Sequence, residues 1–526
     1  MIGASVPSTS TRSNGSMVAS ADQLATQAGM AVLALGGNAV DAAIATNAAL
    51  AVTAPHLCGM GGDMYALVHD GETVHALNAT GRAGSGSDAA KLRAEGFTEM
   101  PFRHDIRIVT VPGCVDGWIA LHERFGRLPL RQLFEPAIRL AVDGFPASPL
   151  LVGSIRMLDD RARESLHELT EQAQRPGARV CRPGVAQALR DIAEHGRDGF
   201  YGGSFGKGLR ELGQGLFGEV DLAKSGADWV APLSQQVFSK VLYTLPPNSQ
   251  GYQLLGAAAL AEGLQLPADP NDPLWAHLLI EAATVAGHER PRDLHDRADG
   301  QALIHRIAAD LALVERTKAS RNIVPTSDGD TTYLCCVDDQ RMGVSLIQSN
   351  ASGFGSFLVE PNTQINLHNR GLGFSLEAGH PAELTPGRRP PHTLCPALAT
   401  ELDGTLAAVF GTMGGDGQPQ ILLQIAARLF RHGQSPAEAI NAGRWLLRGP
   451  VTGFDTWTAA GGPHVIVEGQ IAPQWVEGLT ARGHEVHVIN QFDSSFGHAH
   501  AIVVEPTGML AGAADPRTVI GSVAGL

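Results

Sequence analysis

The chain has 526 residues, enough for one large domain or several ordinary ones. Hydrophobic residues make up 44% and charged residues 17%, a globular composition that excludes wholesale disorder. A net charge of −14 with no basic block excludes a nucleic-acid binder, because neutralising phosphates needs clustered Lys and Arg.

Residues 1–16 are polar and Ser/Thr-rich, which predicts a flexible leader without the apolar stretch of a secretory signal. Leu24, Ala28, Val32 and Leu35 recur at helical spacing and predict a helix over 21–35, stopped by Gly36-Gly37. A second, alanine-rich helix is predicted over 39–51. It is too short to span a bilayer, no run of about 20 apolar residues occurs, and no membrane partner is expected. After a turn at Gly59–Gly62, residues 65–68 and 73–77 read as a strand pair around Asp70-Gly71. Residues 115–320 read as mostly helical. A charged stretch then ends at 324–330 in a sequence with the composition of an exposed loop or processing site. Beyond it, strands are predicted over 331–337, 343–348, 405–411, 464–467, 487–490 and 501–505, with a helix over 420–431. A helix-rich first part and a strand-rich last part imply mixed αβ layers.

Six dispersed cysteines form no CxxC, and His56 and His392 beside cysteines lack the further ligands of a zinc site, so reduced thiols and a cytoplasmic protein are expected. GxGxxG at Gly213–Gly218 and GxSxG around Ser204 stand outside a strand–turn–helix context and read as chance matches in a glycine-rich chain. His498 and His500 make a lone HxH, too few ligands for a metal. Asp330-Thr331-Thr332 carries more. A threonine heading a strand behind a loop suits self-cleavage, which leaves a hydroxyl nucleophile and an α-amine base in one residue. Gly414-Gly415, between a strand and a helix, suits an oxyanion hole of backbone N–H groups.

Seven blocks occur in the order found in the γ-glutamyltransferase family of N-terminal-nucleophile hydrolases. They are LALGGNAVDAAIATNAALAV leading to GMGGD (59–63), VPGCVDGW (111–118), DTTYLCCVDD (330–339), QSNASGFGS (348–356), PGRRPPHTLCPAL (386–398), GTMGG (411–415) and GAADPRTV (512–519). The chain resembles that family from about residue 17 to 525. The resemblance implies an α+β, four-layer αββα sandwich made jointly by a large subunit (17–330) and a small one (331–526), cut from one precursor between Asp330 and Thr331. It also implies Thr331 as nucleophile, Gly414 and Gly415 as oxyanion donors, Asn350 near the site, and no metal or organic cofactor. An assembly of identical chains stays open.

The pocket departs from the family pattern. The position nearest the family's carboxylate-binding Arg is Thr80, with Arg82 two residues on. The Asp that meets the substrate ammonium is Gly373, the Gln three positions before it is Arg370, and the second hydroxyl near the nucleophile aligns with Gln348. A carboxylate is lost and a cation gained, which points to a small amide bearing a carboxylate, oxamate-like or glutaryl/γ-glutamyl, held by Arg82, Arg370, His392 and Thr393. A missing lid segment favours hydrolysis over transpeptidation. The alternatives are a typical glutathione hydrolase and an unprocessed, non-catalytic binding homologue.

Overall fold

Strand alternation gives this chain two sheets that are each buried on both faces. The computed structural model describes residues 7–320, 331–448, 454, 456, 457 and 464–526. In chain order the strands of the two sheets are β1 (Thr11–Ser13), β2 (Met17–Ser20), β3 (Asp63–His69), β4 (Val74–Ala79), β5 (Asp228–Val230), β6 (Leu233–Val237), β7 (Lys240–Thr244), β8 (Thr332–Val337), β9 (Gly343–Ser349), β10 (Ala397–Thr400), β11 (Leu406–Thr412), β12 (Ala499–Val504), β13 (Leu510–Ala514) and β14 (Ser522–Gly525). One sheet runs β1-β13-β12-β11-β10-β7-β6 and the other β14-β2-β8-β9-β3-β4-β5. All their neighbouring strands are antiparallel.

Alternate residues face alternate layers. Tyr65, Tyr333, Cys335 and Ile347 meet Leu398, Val409 and Ile502 between the sheets. Their sequence neighbours Ala66, Leu334, Cys336 and Leu346 lie under α1 (Gln23–Ala34) and α2 (Ala39–Thr53). On the far side, Ala399, Ala408 and Phe410 lie under α3 (Gly251–Gly263), α4 (Pro273–Gly287) and α5 (Gln418–Ala426). The architecture is the expected αββα sandwich. All fifteen residues of α2 are buried, so its small side chains let helix and sheet approach closely rather than serving a membrane.

Three expectations change. The leader is not loose from residue 7 onward: β1 pairs with β13, and Ser8 hydrogen-bonds Asn441. The helical reading of 115–320 misses β5–β7, which close one edge of each sheet. The helix predicted over 420–431 begins at Gln418 and widens into a π turn at Ala427–Arg431. The loop 324–330 lies outside the described residues. The six cysteines are free thiols. His498 and His500 are structural: His498 Nε2 lies 2.8 Å from Ser494 Oγ, and His500 stacks on Tyr333. Ser204 merely opens a helix, Ser204–Gly213.

Candidate active site

The register of the second sheet brings its polar residues together. Ser349 on β9 stands opposite Asp63 on β3, and Thr332 stands opposite Gln348. Thr331, one residue before β8, therefore falls beside Ser349, and their hydroxyl oxygens lie 3.1 Å apart. Met64 pairs with Ala79, so the same row extends to Thr80. Thr331, Ser349, Asp63 and Thr80 thus cross four strands at one end of the sheet. They share the side of the sheet that carries Tyr333, Ile347 and Tyr65 into the gap between sheets. All four are buried.

Asp63 is the electrostatic centre of this row. Its Oδ2 accepts from Arg370 Nε at 3.0 Å and from His392 Nε2 at 2.8 Å, with His368 Nδ1 at 3.5 Å. Burial pushes the Asp63 carboxyl up, but Arg370 and His392 outweigh it and hold the group well below the usual carboxylate range. His392 Nδ1 accepts from Leu394 N–H at 3.1 Å, which fixes the proton on Nε2. Burial and Arg370 push this imidazole down to about 4, so it is neutral at pH 7. Arg370 spends Nη1 on Thr393 Oγ1 at 3.2 Å. Its Nη2 is buried without a hydrogen-bond partner among the described residues, as is Asp63 Oδ1. The ring of Phe454 lies 6.0 Å from the guanidinium.

The glycine turn follows a strand of the facing sheet. β11 runs over Tyr333, so closely that a Cβ on Gly411 would stand 2.2 Å from the Tyr333 ring. Past its end, Gly414 (φ 133°) and Gly415 (φ 53°) take backbone conformations that suit glycine. Their carbonyls are occupied: Gly414 O accepts from Gly417 N–H and Gly415 O from Gln250 Nε2. Gly415 begins a 3₁₀ turn, whose first N–H groups have no partner inside the turn. Asp416 anchors the turn to Arg290 at 3.0 Å and to the Thr456 N–H at 3.1 Å.

The predicted residues divide. Thr331, Arg370 and Thr393 belong to the row and its charge cluster. Asn350 braces the GMGGD turn, with Nδ2 on Pro55 O at 3.0 Å and Oδ1 against Gly59 and Gly62. Asp330 lies outside the described residues. Arg82 and His392 already have partners in the fold. Arg82 is bonded to Asp228 at 2.7 Å and to Gly387 O at 3.1 Å, so it straps surface loops rather than awaiting an acid. His392 has both ring nitrogens engaged and serves Asp63. The family's second hydroxyl position aligns with Gln348, and the hydroxyl that stands beside Thr331 is that of Ser349. Gln348 points to the other face, where it bonds Asn47, Gly59 O and Cys114. Asp63 was visible as the last residue of GMGGD but had no assigned role, because its partners lie more than 300 positions away.

The γ-glutamyltranspeptidase family model matches residues 25–525. The chain belongs to the γ-glutamyltranspeptidase family. It is 34% identical to an oxamate amidohydrolase proenzyme of Klebsiella pneumoniae, over 95% of this chain and 97% of that protein. It is 33% identical to a glutathione hydrolase-like proenzyme of Bacillus subtilis, over the same shares. A crystal structure of cephalosporin acylase from Bacillus halodurans matches with a TM-score of 0.88 and 31% identity, covering 100% of this chain and 98% of that one. Members of the γ-glutamyltranspeptidase family are enzymes with this sandwich fold, and so is this chain. No helix among the described residues is long and apolar enough to cross a membrane.

Proposed function

We propose that the chain is a self-processed amidohydrolase that cleaves a small, carboxylate-bearing amide through an ester on Thr331. The observation that carries this reading is the buried Arg370 Nη2, unpartnered among the described residues and borne on a cluster one residue along the row from the Thr331–Ser349 hydroxyl pair. A guanidinium N–H in that setting gains a charge-assisted bond from a substrate carboxylate. The relatives named for oxamate and acylase activity, and the word proenzyme in two of the names, are consistent with it.

In maturation, Thr331 Oγ attacks the carbonyl carbon of Asp330 and the C–N bond breaks, leaving an ester and a free α-amine. Water opens the ester and releases residues 1–330 as a large subunit and 331–526 as a small one. In turnover the α-amine takes the Oγ proton as Oγ attacks the substrate carbonyl. Gly414 and Gly415 N–H groups hold the oxyanion. The amide C–N bond breaks, the leaving amine takes the proton, and water repeats the sequence on the acyl ester.

Intact mass of the wild type beside Thr331→Ala tests the nucleophile: two fragments split at 330/331, and one uncut chain in the variant. A single uncut wild-type chain would remove the reading and favour a binding role. Asp63 Oδ1, also unpartnered among the described residues, favours a second reading in which a substrate ammonium sits there, as in γ-glutamyl compounds. Steady-state rates on oxamate, glutaryl-p-nitroanilide and γ-glutamyl-p-nitroanilide separate the two, since only the last carries the ammonium.

A further inference from the structure

Far from the row, three metal-ligating side chains converge in a place the reaction does not use. His277 and Glu281 stand one turn apart on α4, and His484 follows α6 (Pro473–Ala481), which packs beside it. His277 Nδ1 and His484 Nε2 are 2.8 Å apart, and His484 Nε2 is 3.9 Å from Glu281 Oε1. His277 is 0%, Glu281 1% and His484 8% exposed, so the cluster is closed to bulk water. Glu281 Oε1 accepts from Ser320 N–H at 3.1 Å, while Oε2 is buried without a partner among the described residues.

The cluster does not satisfy itself. A buried carboxylate oxygen without a donor is costly, and the nearest imidazole nitrogen is too far to bond. Two imidazole nitrogens and a carboxylate oxygen converging on one buried point are the donor set a divalent cation takes. Tetrahedral zinc with bonds of about 2.0 Å needs donor separations of about 3.3 Å. The observed 2.8 and 3.9 Å bracket that value, so small ring rotations suffice. Arg482 opposes a cation here, but its Nη1 is held by Gly478 O at 2.9 Å. By contrast, the exposed group His464–Glu485–His487 is complete as it stands, with each histidine on a carboxylate oxygen at 3.1 or 3.2 Å.

We propose that His277, Glu281 and His484 form a structural Zn²⁺ site, with a water as fourth ligand. Its position has a consequence. Ala319 N–H bonds Arg482 O at 2.7 Å and Ser320 N–H bonds Glu281, so the site lies beneath the segment that leads towards Thr331. On the cleavage reading above, the metal would join the large subunit (His277, Glu281) to the small one (His484). That consequence rests on the proposed cleavage, whereas the site itself does not.

Metal content of purified, chelator-stripped and Zn²⁺-reloaded protein tests the site, with Co²⁺ absorption as the spectroscopic probe. About one tightly held ion per chain and a tetrahedral Co²⁺ band are expected in the wild type and in uncut Thr331→Ala alike. The band should vanish in Glu281→Gln and in His484→Gln and persist in His487→Ala. Zn²⁺ should raise the Tm of the wild type and not of the first two. Stoichiometric binding in Thr331→Ala with no processing anywhere would uphold the site and remove the subunit link. Failure of the wild type to bind, or loss of the band in His487→Ala alone, would overturn the proposal. The wild-type measurement decides even where a variant misfolds.

Discussion

Among the described residues Arg370 has two hydrogen-bond partners and one nitrogen without any, and the two roles can be separated. A charge-assisted hydrogen bond contributes about 1.5–3 kcal/mol, so Arg370→Gln should lower kcat/KM for a carboxylate-bearing amide roughly 10- to 150-fold. The effect should fall mainly on KM, and an amide of equal size without the carboxylate should be spared. The same change strands the buried Asp63 carboxylate and should cost about 3–5 kcal/mol of stability. Adding Asp63→Asn should restore much of the Tm but none of the KM. Recovery of both would mean that Arg370 only neutralises Asp63. Ser349→Ala bears on the nucleophile instead. Losing the 3.1 Å contact to Thr331 should lower kcat and the rate of processing by about fivefold, for a bond of about 1 kcal/mol, with KM unchanged. An unaltered kcat would make Ser349 a bystander. The positions of Thr331 before its strand and of the two glycines after theirs were legible from residue type and turn signals. The placement of Asp63 and Ser349 in the row, and the partners that Arg82 and His392 find, were not. They depend on which face of a strand a residue occupies and on what stands across from it, and a one-residue slip from Gln348 to Ser349 inverts that face.

At the scale of elements, β8, β9, β11 and β12 were readable from apolar runs bounded by turns. β1 and β5–β7 were not. They are short strands at or next to sheet edges, and Gln235, Gln236 and Lys240 give them too little apolar pattern. The glycine of β11 has a role that pattern alone did not expose. Because Gly411 lies on the Tyr333 ring, Gly411→Ala forces β11 away from β8. Overpacking of this kind costs about 1–3 kcal/mol. The same displacement moves the Gly414-Gly415 turn at the end of β11 relative to Thr331, so kcat should fall together with Tm. Tyr333→Leu in the same chain makes room and should recover part of both. Calorimetry and single-turnover rates on the two variants check this, and a fall in Tm with undiminished kcat would show that the turn is held by Asp416 and Arg290 alone.

For the whole molecule, the four-layer plan buries several histidines where burial disfavours the protonated form. His56, His392, His498 and His500 are fully buried around the end of the two sheets, and burial, the largest cause for each, holds them down to about 3 or about 4. In the unfolded chain each titrates near 6.5. Above that value neither state is protonated, and their contribution to stability is complete. As the pH falls below about 6.5, the unfolded chain takes up protons that the folded one refuses. Each such histidine then removes about 1.4 kcal/mol of stability per pH unit, until its folded value is reached. Four together remove roughly 5 kcal/mol per unit, against a total of about 5–15 kcal/mol for an ordinary protein. Asp63 works in the same direction but lower. Its depressed carboxyl stabilises the fold above about 4 and releases that stabilisation only as the pH falls through its folded value. Tm should therefore be flat from about pH 8 to 7, fall steeply below about 6.5, and reach acid unfolding between about pH 5 and 4. With His277 and His484 also held down to about 4, His500→Phe, which keeps a ring against Tyr333, should flatten the descent by about a sixth. A Tm that held to pH 4.5, or a descent unchanged by His500→Phe, would mean that these histidines are protonated in the fold and bonded to acceptors, and that the end of the sandwich where Thr331 lies is open to water.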